Sequence, residues 1–89
     1  MNPFAVKLTE YIHEDGRTVA RIVRETDGAL VLSTMHAYKS GGRVPRTIAA
    51  VDTIAKALKL SATKRDILAR CYRRALELTT DARVSGGAK

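Results

Sequence analysis

Thr18-Val-Ala-Arg-Ile-Val-Arg-Glu-Thr-Asp-Gly-Ala-Leu-Val-Leu-Ser-Thr34 is the stretch on which the fold turns. Two readings compete for it. In the first, Thr18 caps a short helix running to about Thr26, with Ile22 and Val23 inward and Arg21 and Arg24 outward. Asp27-Gly28 then breaks the chain, and residues 30–38 form another helix. In the second, Val19, Ile22, Val23, Val31 and Leu32 supply strand propensity and Asp27-Gly28 supplies a hairpin turn. The first reading gives an all-α bundle of four or five helices. The second gives an α+β fold with a hairpin over 18–34 packed on two C-terminal helices. Local propensity leaves both open.

The flanks read as helices. Asn2 suits an N-cap and Pro3 the first helical position, and Phe4, Leu8, Tyr11 and Ile12 fall on one stripe. Asp15-Gly16 ends that helix, glycine being the natural left-handed cap. Beyond Pro45, Ile48, Val51, Ile54, Ala55 and Leu58 repeat at three- and four-residue steps, and Leu60-Ser61 closes the element. Thr63 with Asp66 three residues on resembles a capping box for a last helix running to about Leu78. On it, Ile67, Leu68, Cys71, Tyr72, Ala75 and Leu78 share an apolar arc opposite Arg70, Arg73 and Arg74. Residues 1–79 are expected to form one domain and residues 80–89 a disordered tail.

The chain of 89 residues has a formal net charge of +7. Residues 1–42 carry five basic and five acidic side chains, and residues 43–89 carry eleven and four, so the whole excess lies in the second half. A polyanionic partner is one ordinary reason for such a field, because cations that neutralise phosphates release condensed counterions. The other is solubility.

Several function classes find no support. No run approaches a membrane span, and Met1-Asn2-Pro3-Phe4 lacks the basic and apolar regions of a signal peptide, so a cytoplasmic location is expected. Cys71 is the only cysteine, which argues against a disulfide scaffold and reads as a small core residue. His13 and His36 are too far apart for a metal motif, and His13 suits the C-terminal end of the first helix. Ser33 and Ser40 lack a nucleophile-elbow context, and Gly41-Gly42-Arg43 lacks the ending of a phosphate loop. No catalytic activity, cofactor or metal is expected.

Leu32-Ser-Thr-Met-His-Ala-Tyr-Lys-Ser-Gly-Gly-Arg-Val-Pro45, followed by Thr53-Ile-Ala-Lys-Ala-Leu-Lys-Leu60, resembles the recognition helix, turn and fourth helix of the λ-repressor/Cro-like (XRE-type) helix-turn-helix transcriptional regulators. Ser61-Ala-Thr-Lys-Arg-Asp-Ile-Leu68 is similar to the start of that family's fifth helix. The likeness covers residues 4–75 and is specific over 32–68. This chain departs in two places. The segment from Thr18 to Ser33 is one or two residues longer, which enlarges the turn around Asp27–Ala29, and Lys39 stands where the family commonly has an acidic residue. The resemblance implies a λ-repressor-like bundle that binds double-stranded DNA as a homodimeric repressor acting by occlusion.

Position on such a fold assigns the residues. A major groove about 12 Å wide admits one α-helix, and short side chains at its start let the backbone approach base edges. Ser33, Thr34 and His36 would stand there, with Met35 and Tyr38 facing the core. Thr18 at the preceding helix start, with Arg17, Arg21, Lys39, Arg43 and Arg46, would bind phosphates on either side. Tyr72, Ala75 and Leu78 on the last helix would meet a second copy. Arg70, Arg73 and Arg74 form either a second DNA-facing surface or a solvated helix face. The rival to DNA binding is a protein-interaction module of antiactivator or antitoxin type that targets another regulator.

Overall fold

The computed structural model describes residues 2–87, with side chains described through Leu78. Among the described residues there are five α-helices and no strand: α1 Pro3–Asp15, α2 Val19–Glu25, α3 Leu32–Ser40, α4 Ile48–Ala57 and α5 Ala62–Gly87. Residues 18–34 are therefore two helices and the turn between them. The hairpin is excluded by side-chain period. Strand alternation would put Val19, Arg21 and Val23 on one face, whereas the helix gathers Val19 and Ile22, both buried. The turn is built by Thr26, whose hydroxyl donates to the Val23 carbonyl at 2.6 Å and accepts from the Leu30 N–H at 3.2 Å. Asp27 and Gly28 then take left-handed conformations, at φ 57° and 92°.

Caps set the helix boundaries. Asn2 Oδ1 accepts from the Ala5 N–H at 2.8 Å, and Gly16 closes α1 at φ 85°. Thr18 Oγ1 accepts from the Arg21 N–H at 3.1 Å, as its position before α2 requires. Gly41 closes α3 in the left-handed region, one residue beyond Ser40. Thr47 caps α4, its hydroxyl accepting from the Ala50 N–H at 3.3 Å. α4 ends at Ala57, earlier than expected, and Lys59 turns the chain at φ 54°. The cap of α5 is Ser61 and not Thr63. The Ser61 hydroxyl accepts from the Lys64 N–H at 3.3 Å, and Asp66 pairs forward with Arg70 at 2.9 Å instead of reaching back.

The core gathers the apolar stripes of all five helices around Phe4. Its ring meets Tyr38 of α3 and Tyr72 of α5 edge-on, at centroid distances of 6.2 and 5.9 Å. α1 packs against α3 and α5, α2 against α3 and α4, and α4 against α5. Met35, Val51, Ile54 and Leu68 complete the interior. Ile48, expected on the inner face of α4, is exposed because it begins the helix before the stripe reaches the core.

Two expectations for α5 change. Tyr72 and Ala75 are buried in this chain's own interior, so they form no surface for a second copy; of the three residues assigned to that role only Leu78 is exposed. Tyr72 is held there by its packing on Phe4. The backbone carries α5 past Leu78 to Gly87, since Ala75, Leu76, Glu77, Ala82 and Arg83 are helix formers and no proline intervenes. The tail expected over 80–89 lies outside the residues whose side chains are described.

Candidate nucleic-acid interface

Successive residues of α3 stand about 100° apart, which sorts its side chains. Met35 is fully buried and Tyr38 packs beside it against the core. Leu32, Ser33, His36 and Ser40 share the opposite stripe and are all exposed. Thr34 is half-buried at its margin. Ser33 and His36 thus stand on the solvent side of α3, and Thr34 only partly does.

α3 is held by both of its neighbours, α1 and α2. α2 packs against it, and the Thr9 hydroxyl of α1 donates to the Lys39 carbonyl at 3.2 Å. Past Gly41, the N–H groups of Gly42 and Arg43 both reach the Ala37 carbonyl, at 3.0 and 3.2 Å. This closes the helix and projects Arg43 and Arg46 from a short connection before α4, where both are exposed. Pro45 is buried between them and fixes that connection to the bundle.

The expected phosphate ligands divide into two groups. Arg17 is not among the available ones. Its Nε and Nη2 donate to the two Asp15 carboxylate oxygens at 2.6 and 2.7 Å, Nη1 donates to Glu25 at 2.9 Å, and Nη2 also reaches the Ala57 carbonyl at 2.8 Å. The side chains of Arg17 and Asp15 are 16% and 11% exposed. The guanidinium holds the Asp15 carboxyl below the usual carboxylate range by hydrogen bonding, and Asp15 in turn raises the Arg17 pKa. Arg17 therefore ties the α1–α2 turn to α2 and to the last turn of α4, where it satisfies an otherwise open helix carbonyl. Arg21 is exposed but paired with Glu25 at 3.0 Å. The Glu25 pKa is lowered by its hydrogen bond from Arg21 first and by Arg17 next. The Thr18 hydroxyl serves as the α2 cap.

Lys39, Arg43 and Arg46 differ. None makes an ion pair among the described residues. The reason is compositional, because no Asp or Glu occurs between Asp27 and Asp52. By contrast, Arg65, Arg70 and Arg74 of α5 have carboxylate partners in Asp52, Asp66 and Glu77.

A shallow groove runs between the end of α1, the start of α2 and the side of α3, and it brings several of these residues together. Thr18, His36 and Lys39 line it together with Thr9, His13 and Ala20. Arg43 and Arg46 border a separate depression next to Asn2 and Leu76. His13, expected as a helix-end charge, lines the first groove as well. The sequence carries no signal for this, since only the packing of α1 on α3 brings His13 to the same groove as His36. The second surprise is apolar. Val31 and Leu32, at the beginning of α3, are 58% and 40% exposed.

Among the described residues no group of three or more His, Cys, Asp or Glu side chains could hold a metal, and no helix is long and apolar enough to cross a membrane. No family model matches the chain, and neither a curated protein nor a solved structure does so.

Proposed function

We propose that this protein binds double-stranded DNA through the outer stripe of α3, as a small helix-turn-helix regulator. The observation that carries the reading is the acid-free stretch from Gly28 to Val51. It holds an exposed helix face bearing Ser33 and His36, together with Lys39, Arg43 and Arg46, which have no carboxylate partners among the described residues. A helix face that meets polyphosphate benefits from having no anionic side chain, since each one would repel the backbone. α2 packs against α3, and the Thr18 end of α2 flanks the same groove. A bundle of this size seated in a major groove would act by occluding its site, as a repressor does. A second copy would have to meet the first elsewhere than at Tyr72 and Ala75.

The roles separate experimentally. Ser33→Ala and His36→Ala should reduce the preference for a selected duplex over random DNA, by about 1–3 kcal/mol for each base no longer read. Arg43→Ala and Arg46→Ala should weaken binding to both duplexes about equally. Fluorescence anisotropy with both duplexes distinguishes the two patterns. Equal weakening by all four variants on both duplexes would remove α3 from the role of reader.

One observation favours a second reading. Exposed Val31 and Leu32 suit a protein partner, such as another regulator held by an antiactivator or antitoxin. Under that reading the arginine variants would leave partner binding intact, whereas Leu32→Asp would abolish it.

A further inference from the structure

We infer that Leu32 reads thymine methyl groups, so that the duplex this protein prefers carries A·T pairs facing the first turn of α3. The inference rests on the DNA-binding reading above and deepens it. Large apolar side chains on a solvated helix face forgo the free energy of burial unless something covers them. Here Leu32, 40% exposed, sits at the start of the stripe that also carries Ser33 and His36, one helical turn before His36. The stripe contains no Arg, Lys, Asn, Gln, Asp or Glu, so no side chain on it can make a bidentate base contact. Of the groups displayed in the major groove, only the thymine C5-methyl is apolar, and apolar side chains are its matching readers. Charge complementarity identifies the occupant. The segment that bears Leu32 has no carboxylate, so no anionic side chain of α3 stands against a polyanion laid along its outer stripe, and Lys39, Arg43 and Arg46 follow at the far end of the helix and beyond it.

The test changes the DNA before it changes the protein. A duplex selected by the full chain from a random pool is synthesised again with deoxyuridine for thymidine, which removes only the C5-methyl groups. Binding is expected to fall about fourfold for each methyl covered, the equivalent of one buried methylene. Leu32→Ala, a change at an exposed position, should bind the thymidine duplex as weakly as the unaltered protein binds the deoxyuridine duplex. That variant should also gain nothing further from the methyl groups. Equal affinity of the unaltered protein for both duplexes would overturn the inference and leave the DNA reading standing. If, in addition, Leu32→Ala dissociated a dimer of the DNA-free protein, Leu32 would cover a second copy instead. Absence of binding to every duplex would overturn the DNA reading itself.

Discussion

Arg17 joins its neighbour Asp15 and Glu25 of α2 to the Ala57 carbonyl forty residues on, and its environment makes two outcomes measurable. Arg17→Met would leave the mostly buried Asp15 carboxylate without its partner, and a destabilisation of about 3 kcal/mol is expected in urea denaturation. A value well below 1 kcal/mol would place the pair among ordinary surface ion pairs. The pH dependence follows from the lowered Asp15 pKa. A carboxylate with a depressed folded pKa contributes stability that is present above its unfolded value of about 3.9 and disappears as pH falls through the folded value. The unaltered protein should therefore lose stability more steeply than Arg17→Met below about pH 4. Parallel acid limbs would contradict the assignment. This role is not legible in the sequence, because an arginine beside a helix boundary reads as a phosphate ligand until Glu25 and the Ala57 carbonyl are known to surround it.

The helices show why most of the fold can be read and part of the site cannot. Asn2, Thr18 and Gly16 announce their caps by residue type alone, and the apolar stripes of α1 and α4 need only a period of 3.6. The choice at Asp27-Gly28 is different, since a helix break and a hairpin turn both use residues that tolerate positive φ. Packing decides it, through burial of Val19 and Ile22 on one face. α3 is the exception among the capped helices. Its N-cap, Val31, is extended at φ −113° and ψ 134° but offers no side-chain acceptor. Val31→Asp should stabilise the fold by about 1 kcal/mol in thermal or urea denaturation, because it supplies that acceptor and a favourable charge. The same change should weaken DNA binding, since it places a carboxylate in the acid-free stretch. A variant that is both more stable and tighter binding would contradict the placement of α3 against DNA. Lys59 is strained at φ 54° after α4, so Lys59→Gly should also stabilise, by about 1 kcal/mol, and leave DNA binding unchanged.

At the scale of the whole molecule the argument is electrostatic. The sequence locates the excess charge in its second half, but it does not separate cations that neutralise this chain's own carboxylates from those that do not. Arg65, Arg70 and Arg74 belong to the first kind, and Arg43 and Arg46, with Lys56, Lys59 and Arg73, to the second among the described residues; of these only Arg43 and Arg46 follow α3 directly, next to the unpaired Lys39. Binding to duplex DNA should accordingly weaken with salt, and Arg43→Ala and Arg46→Ala should each reduce the slope of log affinity against log salt by about 1. Arg70→Ala and Arg74→Ala should leave the slope unchanged. The most direct test of the central claim is selection of bound sequences from a random duplex pool at near-physiological salt, using the full chain. The expected result is an enriched short motif containing A·T pairs, bound more tightly than random duplex. Recovery of no motif, together with binding that is weak and equal for every duplex, would contradict the assignment of α3 as a DNA reader.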